Sequence, residues 1–420
     1  MLNAHPLAVW RLDHPVWLCP FRAFFGLAIV YAPMLMLNWL LVLGAGWPAP
    51  TVPGGPIVWH AHELILGVSM AAVAGFVLTA VPEFTQTPAF AKSETRRLVF
   101  YWLLARMAFW ATPWWPAPAL VSAFMANIVL LSRLFWMIRP RIWQAPGRRH
   151  QGFIWGLAAL YVTTGGFYVD VQRDPEVMRW LHASLGVMLT LIVVAMSRIS
   201  MTIVNDSIDL YEREHPSHGT EDGDGARTGY LARPPRRHMA VFCISLFTLM
   251  QWHDPSNPVV GWLALASSAA MLNLLNDWHV GRALWQRWPL MLYSVYLLMA
   301  LGYGLIGFCQ LGGWGNVSGG LHLLSSGALS LAIYLVICIA GYTHSGLSKD
   351  GRGWVTVGAA LIIAGALLRT LSWSFPAPWL LSLSGLLWAA AFIMQASAML
   401  PVFLRRRADG GSGCEGILDD

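Results

Sequence analysis

Two imidazoles and a carboxylate, His60, His62 and Glu63, stand at the head of a long apolar run in the segment WHAHELILGVSMAAVAGFVLTAVP. Imidazole nitrogen binds iron, copper and zinc, and it carries protons near neutral pH. A titratable side chain in hydrocarbon is costly unless a partner or a water-filled cavity receives it. The pattern therefore points to a buried cofactor, metal or proton site at one surface of a membrane. Glu63 is the natural proton carrier or orienting group beside these ligands.

The elements that must position such a site are membrane helices. The chain has 420 residues, of which 56% are hydrophobic and only 11% charged, against roughly 25% charged in a soluble domain. A net charge of +6 does not indicate nucleic acid, because the basic residues fall in short loops between apolar runs. Cys19, Cys243, Cys309, Cys338 and Cys414 are scattered, with no CxxC pair and no CxxCH motif. Neither a structural disulfide nor a covalently attached haem is expected. The first apolar run follows Arg11, Asp13 and Arg22 and is too long for the core of a cleaved signal, so it reads as a retained span.

At roughly 17–25 residues per helix, spans are expected at 23–46, 59–81, 98–113, 117–138, 153–171, 178–203, 239–252, 258–280, 288–309, 321–341, 354–374 and 378–403. The third and seventh are short. With the amino terminus in the cytoplasm, the inner loops receive Lys92, Arg96 and Arg97, then Arg139, Arg141, Arg148 and Arg149. They also receive Arg213 to Arg237, Arg282 with Arg287, Lys349 with Arg352, and Arg405 to Arg407. The outer loops hold only Arg173 and Arg179. That asymmetry predicts an all-α integral membrane protein of about twelve transmembrane helices with both termini cytoplasmic. Residues 1–205 form a first six-helix half, 206–238 a hydrophilic cytoplasmic linker, 239–404 a second half and 405–420 a cytoplasmic tail.

This topology sorts the histidines by depth. His60, His62, His182 and His322 fall at outer ends of inward-running spans. A glycine follows about one helical turn deeper in each case, as Gly67, Gly186 and Gly327. Small residues let a helix or a flat macrocycle come close, so the three segments resemble a weak repeat spaced four spans apart. The plainer alternative is interfacial histidines that snorkel to the headgroups. Successive helical residues turn by about 100°, so His60 and His62 cannot share one ion on a regular helix. His344 lies 22 residues after His322, roughly 33 Å along a helix, and belongs to a second, inner site or to a loop. His253 and His279 read as ordinary. His5, His14, His150, His215, His218 and His238 sit among charges in cytoplasmic segments. Arg106 and Arg369 are intramembrane cations, with Arg198 near the inner end of the sixth span and Arg133 free to snorkel. Arg binds carboxylates bidentately. Arg369 therefore suits a haem propionate, and Arg106 could equally form a structural pair with Glu63.

The run WHAHELILGVSMAAVAGFVLTAVPEFT resembles the signature of the NnrS family of membrane proteins, a HxHE motif followed by a helix ending GFLLTA. Further segments resemble other spans of that family: PFRAFFGLAIVYAP, LLARMAFW with Arg106, GLHLLSSGALSLAIYLVICIAGYTHSGL, LIIAGALLRTLSW with Arg369, and LSGLLWAAAFIMQASAMLPVF. The resemblance implies a multi-pass bacterial inner-membrane protein that carries b-type haem and copper and is tied to nitric oxide metabolism or nitrosative stress. It places His60, His62, Glu63, His322, His344, Arg106, Arg198 and Arg369 at functional positions. The chain departs from the pattern at Leu347, where the family has Arg after its His-Thr-Gly turn. It departs again at Met201, where a Pro-containing motif usually follows the Arg of the sixth span.

Three functions compete. A b-type haem held by imidazoles from two helices, with copper on a further His among His60, His62, His322 and His344, would serve nitric oxide detoxification or sensing. A secondary transporter would use polar residues at mid-bilayer between repeats. A two-His haem with no open position would transfer electrons. The lipid bilayer is the expected partner in all three.

Overall fold

The computed structural model describes residues 9–144, 146–173, 176–214, 229–313, 315–349, 351–373, 375 and 377–414. These are helical, with no strand among the described residues. The long helices in chain order are α1 (Pro20–Ala45), α2 (Gly55–Thr85), α3 (Lys92–Trp110), α4 (Pro116–Trp143), α5 (Gly147–Asp170) and α6 (Met178–Glu214). They continue with α7 (Pro234–His253), α8 (Pro258–Trp278), α9 (Arg287–Gly312), α10 (Val317–Thr343), α11 (Gly353–Leu371) and α12 (Pro378–Phe403).

Among the described residues, ten of these are long and apolar enough to cross a membrane. The other two, α3 and α7, occupy the places of the short third and seventh expected spans. Their first turns carry Lys92, Glu94, Arg96 and Arg97, and Arg236, Arg237 and His238, which lowers their mean apolarity. The protein is thus an all-α, multi-pass membrane protein.

The helix boundaries follow from residue chemistry. Proline opens α1, α4, α7 and α8 within the first two positions, where its missing N–H costs no hydrogen bond. Asn257 and Asn316 cap α8 and α10, accepting from the backbone N–H of Val259 and Ser318 at 3.0 and 2.8 Å, as N-cap side chains do. Helix α6 runs on to Glu214 and α7 begins at Pro234, so regular helix takes both ends of the expected 206–238 linker. Asn205 clamps the returning chain, donating to the Tyr230 carbonyl at 3.2 Å and accepting from its N–H at 2.8 Å. Residues 215–228, with His215 and His218, lie outside the described residues, as does His5.

The chain divides into two compact units. One holds residues 1–185, 336–361 and 385–420, and the other 186–335 and 362–384. Helices α2 and α10 are the most enclosed of the ten candidate spans, with 83% and 78% of their most apolar stretch buried. These two carry the His62–Gly67 and His322–Gly327 segments.

One expectation is corrected. Cys19 and Cys414 form a disulfide with Cα atoms 5.2 Å apart, across a sequence separation of 395 residues. Neither spacing nor motif marks this pair, because the fold itself brings the tail back to the start of α1. Cys243, Cys309 and Cys338 are free thiols.

Candidate functional site

Helices α2 and α10 share a local irregularity. In α2 an α-helix over Gly55–His62 gives way to a π-turn over Glu63–Ser69 before α-helix resumes. In α10 the α-helix over Val317–His322 gives way to a π-turn over Leu323–Leu329. Each turn begins immediately after the histidine. A π-turn inserts one extra residue into the hydrogen-bond ladder and recurs at functional sites. In both helices a serine hydroxyl donates to the carbonyl five residues back, Ser69 to Leu64 at 3.0 Å and Ser330 to Ser325 at 2.9 Å. The serines thus give widened turns an added acceptor match. Helix α6 behaves differently. It is α-helical throughout from Met178, so His182 does not share the π-turn.

Around His62 the packing builds a closed polar ring. His62 and Glu63 are fully buried, and Arg106 is 3% exposed. The Glu63 carboxylate can only accept, so His62 donates Nδ1–H to Glu63 Oε1 at 2.7 Å. The His62 Nε2 then accepts from the Tyr168 hydroxyl at 3.0 Å. Tyr168 in turn accepts from Asn127 Nδ2 at 3.0 Å, and Asn127 Oδ1 accepts from Arg106 Nη2 at 2.9 Å. Arg106 Nη1 closes the ring on Glu63 Oε1 at 2.7 Å. Tyr31 donates to the second carboxylate oxygen and itself accepts from Trp110 Nε1 at 2.7 Å. The His62 ring stacks on Phe109, with ring centres 3.7 Å apart. Every proton in the ring has one defined direction, and three donors converge on Glu63.

That arrangement settles the role of Gly67. A Cβ there would lie 3.0 Å from the Tyr31 ring and 3.2 Å from Arg106 Nη1, so the glycine makes room for the two groups that hold Glu63. Trp102 Nε1 also donates to the Gly67 carbonyl at 3.0 Å. Arg106 thus pairs with Glu63 at 2.7 Å, the pairing the sequence allowed.

His322 bonds within its own helix. Its Nδ1 lies 2.7 Å from the Ser318 carbonyl, one turn back, and 3.3 Å from the Ser318 hydroxyl. A carbonyl only accepts, so Nδ1 donates and Nε2 carries the lone pair. This is the tautomer of His62 as well. Gly327 meets the Cβ of Ala366 on α11, where an added Cβ would sit 3.2 Å away.

The remaining expected residues fall elsewhere. His60 lies two positions before His62 on regular helix and stacks on Trp39 with ring centres 4.4 Å apart, so the two histidines do serve different surroundings. His182 is on α6 near Ser184, which donates to Thr163 at 2.9 Å. Arg198 is half-buried further along α6. Arg369 donates to Ser372 Oγ at 3.1 Å and lies 5.2 Å over the Trp373 ring, with no carboxylate partner among the described residues. His344 follows the continuous span α10 at its inner end, apart from His322. Its Nδ1 donates to the Cys414 carbonyl at 2.9 Å, and its Nε2 is 3.7 Å from Glu83. Among the described residues no three His, Cys, Asp or Glu side chains converge as a metal-holding group.

Sequence reading passed over Tyr31, Trp110, Asn127 and Tyr168. Asn127 alone left a signal, a side-chain amide inside the apolar run LVSAFMANIVLL, since an amide there needs a partner. Comparison with known proteins adds one match: the family model described as NnrS protein matches residues 15–407. No curated protein matches the chain.

Proposed function

The chain belongs to the NnrS family, and on that premise we propose that it acts in the nitric oxide response of the bacterial inner membrane through a b-type haem. The observation that carries this reading is the matched pair of histidines. Each stands directly before a π-turn, and each has its Nδ1 proton committed to an oxygen of its own helix. Metal-binding histidines characteristically anchor one ring nitrogen to a carboxylate or carbonyl so that the other faces the metal.

When bound, haem supplies an iron that takes nitric oxide. His322 would hold the group through its Nε2, and the Ser318 carbonyl orients the ring by accepting from Nδ1. His62 would do the same after the Tyr168 hydroxyl gives way at its Nε2. Glu63 acts as a positioning residue, since it accepts a hydrogen bond from the Nδ1–H of His62 and is itself held by Arg106 and Tyr31. In the unit that holds His62, Trp59 Nε1 suits a propionate, as a buried donor with no acceptor among the described residues; in the unit that holds His322, the Arg369 guanidinium does. For copper, the described side chains assemble no set of three donors, and no step is assigned to it.

A second reading draws on the same pair of turns. Interrupted spans at corresponding places in two halves mark the substrate sites of many transporters. Purifying the protein from cells with ample haem supply separates the readings. A red protein whose reduced spectrum shifts on adding nitric oxide agrees with the proposal. A colourless protein leaves the transporter in front, and a red protein blind to nitric oxide and carbon monoxide is an electron carrier.

A further inference from the structure

The Cys19–Cys414 disulfide plays no part in the proposed function. Around it the tail is folded back on the start of α1 and the end of α10. Arg22, 1% exposed, donates to the Arg405 carbonyl at 2.6 Å and to Ser345 Oγ at 3.2 Å. Arg407, 5% exposed, donates to the Gly413 carbonyl at 3.2 Å and pairs with Asp409 at 2.5 Å. The N–H of Ala408 donates to the Ser345 carbonyl at 3.3 Å. The last link is His344, whose Nδ1–H donates to the carbonyl of Cys414 itself.

Two features of this setting bear on chemistry. The first is compartment. The Lys and Arg distribution puts the start of α1 and the tail on the cytoplasmic side, where thiols are kept reduced and disulfides are usually transient, catalytic or sensing. The second is the asymmetry of the two sulfurs. Cys19 is fully buried and is the N-cap residue of the 26-residue helix α1, while Cys414 is part exposed. A helix N-terminus favours negative charge, and a stabilised thiolate is the better leaving group in disulfide exchange.

We propose that Cys19 and Cys414 are a reversible thiol–disulfide modification site, exchanged with glutathione-class thiols, that latches the cytoplasmic tail over His344. The reductant thiolate attacks Sγ of the accessible Cys414. The sulfur–sulfur bond breaks and its electron pair goes to Sγ of Cys19 at the head of α1. A second thiol attacks the mixed disulfide at the small-molecule sulfur, which frees Cys414 and releases the oxidised small-molecule disulfide. Oxidation runs the same steps in reverse, with that disulfide as the oxidant. Opening the bond removes the covalent hold on the tail and with it the Cys414 carbonyl that His344 binds. Cys414 lies beyond the family-matched residues 15–407, so the latch does not follow from family membership.

The test uses full-length protein in native membranes, equilibrated with reduced and oxidised glutathione at graded ratios. Acid quenching and differential alkylation then report the state of Cys19 and Cys414, and trypsin sensitivity after Arg405 to Arg407 reports the tail. The pair should titrate within the ratios a cytosol spans, and reduction should speed tail cleavage several-fold. Cys414→Ser should cleave at the fast rate at every ratio, while Cys243→Ser should respond like the wild type. The glutathione comparison on wild type needs no variant to fold. A pair found fully oxidised in acid-quenched cells, a pair that never oxidises at any ratio, or tail cleavage indifferent to reduction would each overturn the proposal. None of these outcomes touches the haem reading, whose test is spectral.

Discussion

The π-turns of α2 and α10 are alike in their backbone and unlike in their surroundings. After His62 the chain places Glu63, and the fold answers it with Arg106, Asn127, Tyr168 and Tyr31 from four other helices. After His322 it places Leu323, and the histidine leans on Ser318 of its own helix. The first turn is therefore tied into a long-range ionic network, while the second keeps its Nδ1 bond within its own helix. A buried ion pair is rarely kept for stability alone, because desolvation offsets much of its attraction. The network imposes the orientation of the His62 ring.

The largest effect should come from breaking that network. Arg106→Ala would leave Glu63 buried without its cation and should cost about 3–5 kcal/mol, read as a large drop in thermal stability in detergent. The added change Glu63→Gln should recover part of that loss, since the uncompensated charge is gone; no recovery would mean that Arg106 supports the fold through packing alone. The two glycines sharpen the comparison next. Gly67→Ala drives a methyl against Tyr31 and Arg106, which cannot move without losing their bonds to Glu63, and should cost about 1–3 kcal/mol. Gly327→Ala meets only the Cβ of Ala366 at the same closeness and should cost less. Equal losses would deny that the network sets the difference.

How much of this could be read beforehand depends on sequence distance. The helices were legible because hydropathy and the punctuating Pro, Gly and Asn act within a few residues. The His-Gly spacing was legible too, and so was the pairing of Arg106 with Glu63, because each of these two is a charge that needs an answer in hydrocarbon. The π-turns were not. One extra residue in a helical turn leaves no trace in a run as uniformly apolar as LILGVSMAAVAG. Tyr168 and Tyr31 were illegible for another reason, since a tyrosine in an apolar span passes for core until a partner 106 or 32 residues away is known. The Cys19–Cys414 bond, 395 residues across, is the extreme case.

A smaller effect tests the reach of the ring. Tyr168→Phe removes the hydroxyl between His62 and Asn127 and leaves two buried groups short of a partner, at about 1–3 kcal/mol. Ser318→Ala removes only a long contact to His322 and keeps the 2.7 Å carbonyl bond, so its thermal stability should stay within roughly 0.5 kcal/mol of wild type. The remaining effect is one the two turns share. Ser69→Ala and Ser330→Ala each delete a hydroxyl-to-carbonyl bond inside a π-turn and should cost about 0.5–1.5 kcal/mol apiece. A clear inequality between them would show that the two turns are not equivalent even locally.

The central claim is that the two histidines before the π-turns are the cofactor ligands, and the Soret band of detergent-purified variants tests it most directly. His322→Ala should abolish or sharply shift the band while the protein still inserts in the membrane. His62→Ala should do the same unless His60 substitutes, in which case the double change is needed. His344→Ala, at the far end of α10, should leave the band in place. A wild-type protein that binds no haem despite ample supply, or a His322→Ala protein with an unaltered Soret band, would contradict the account.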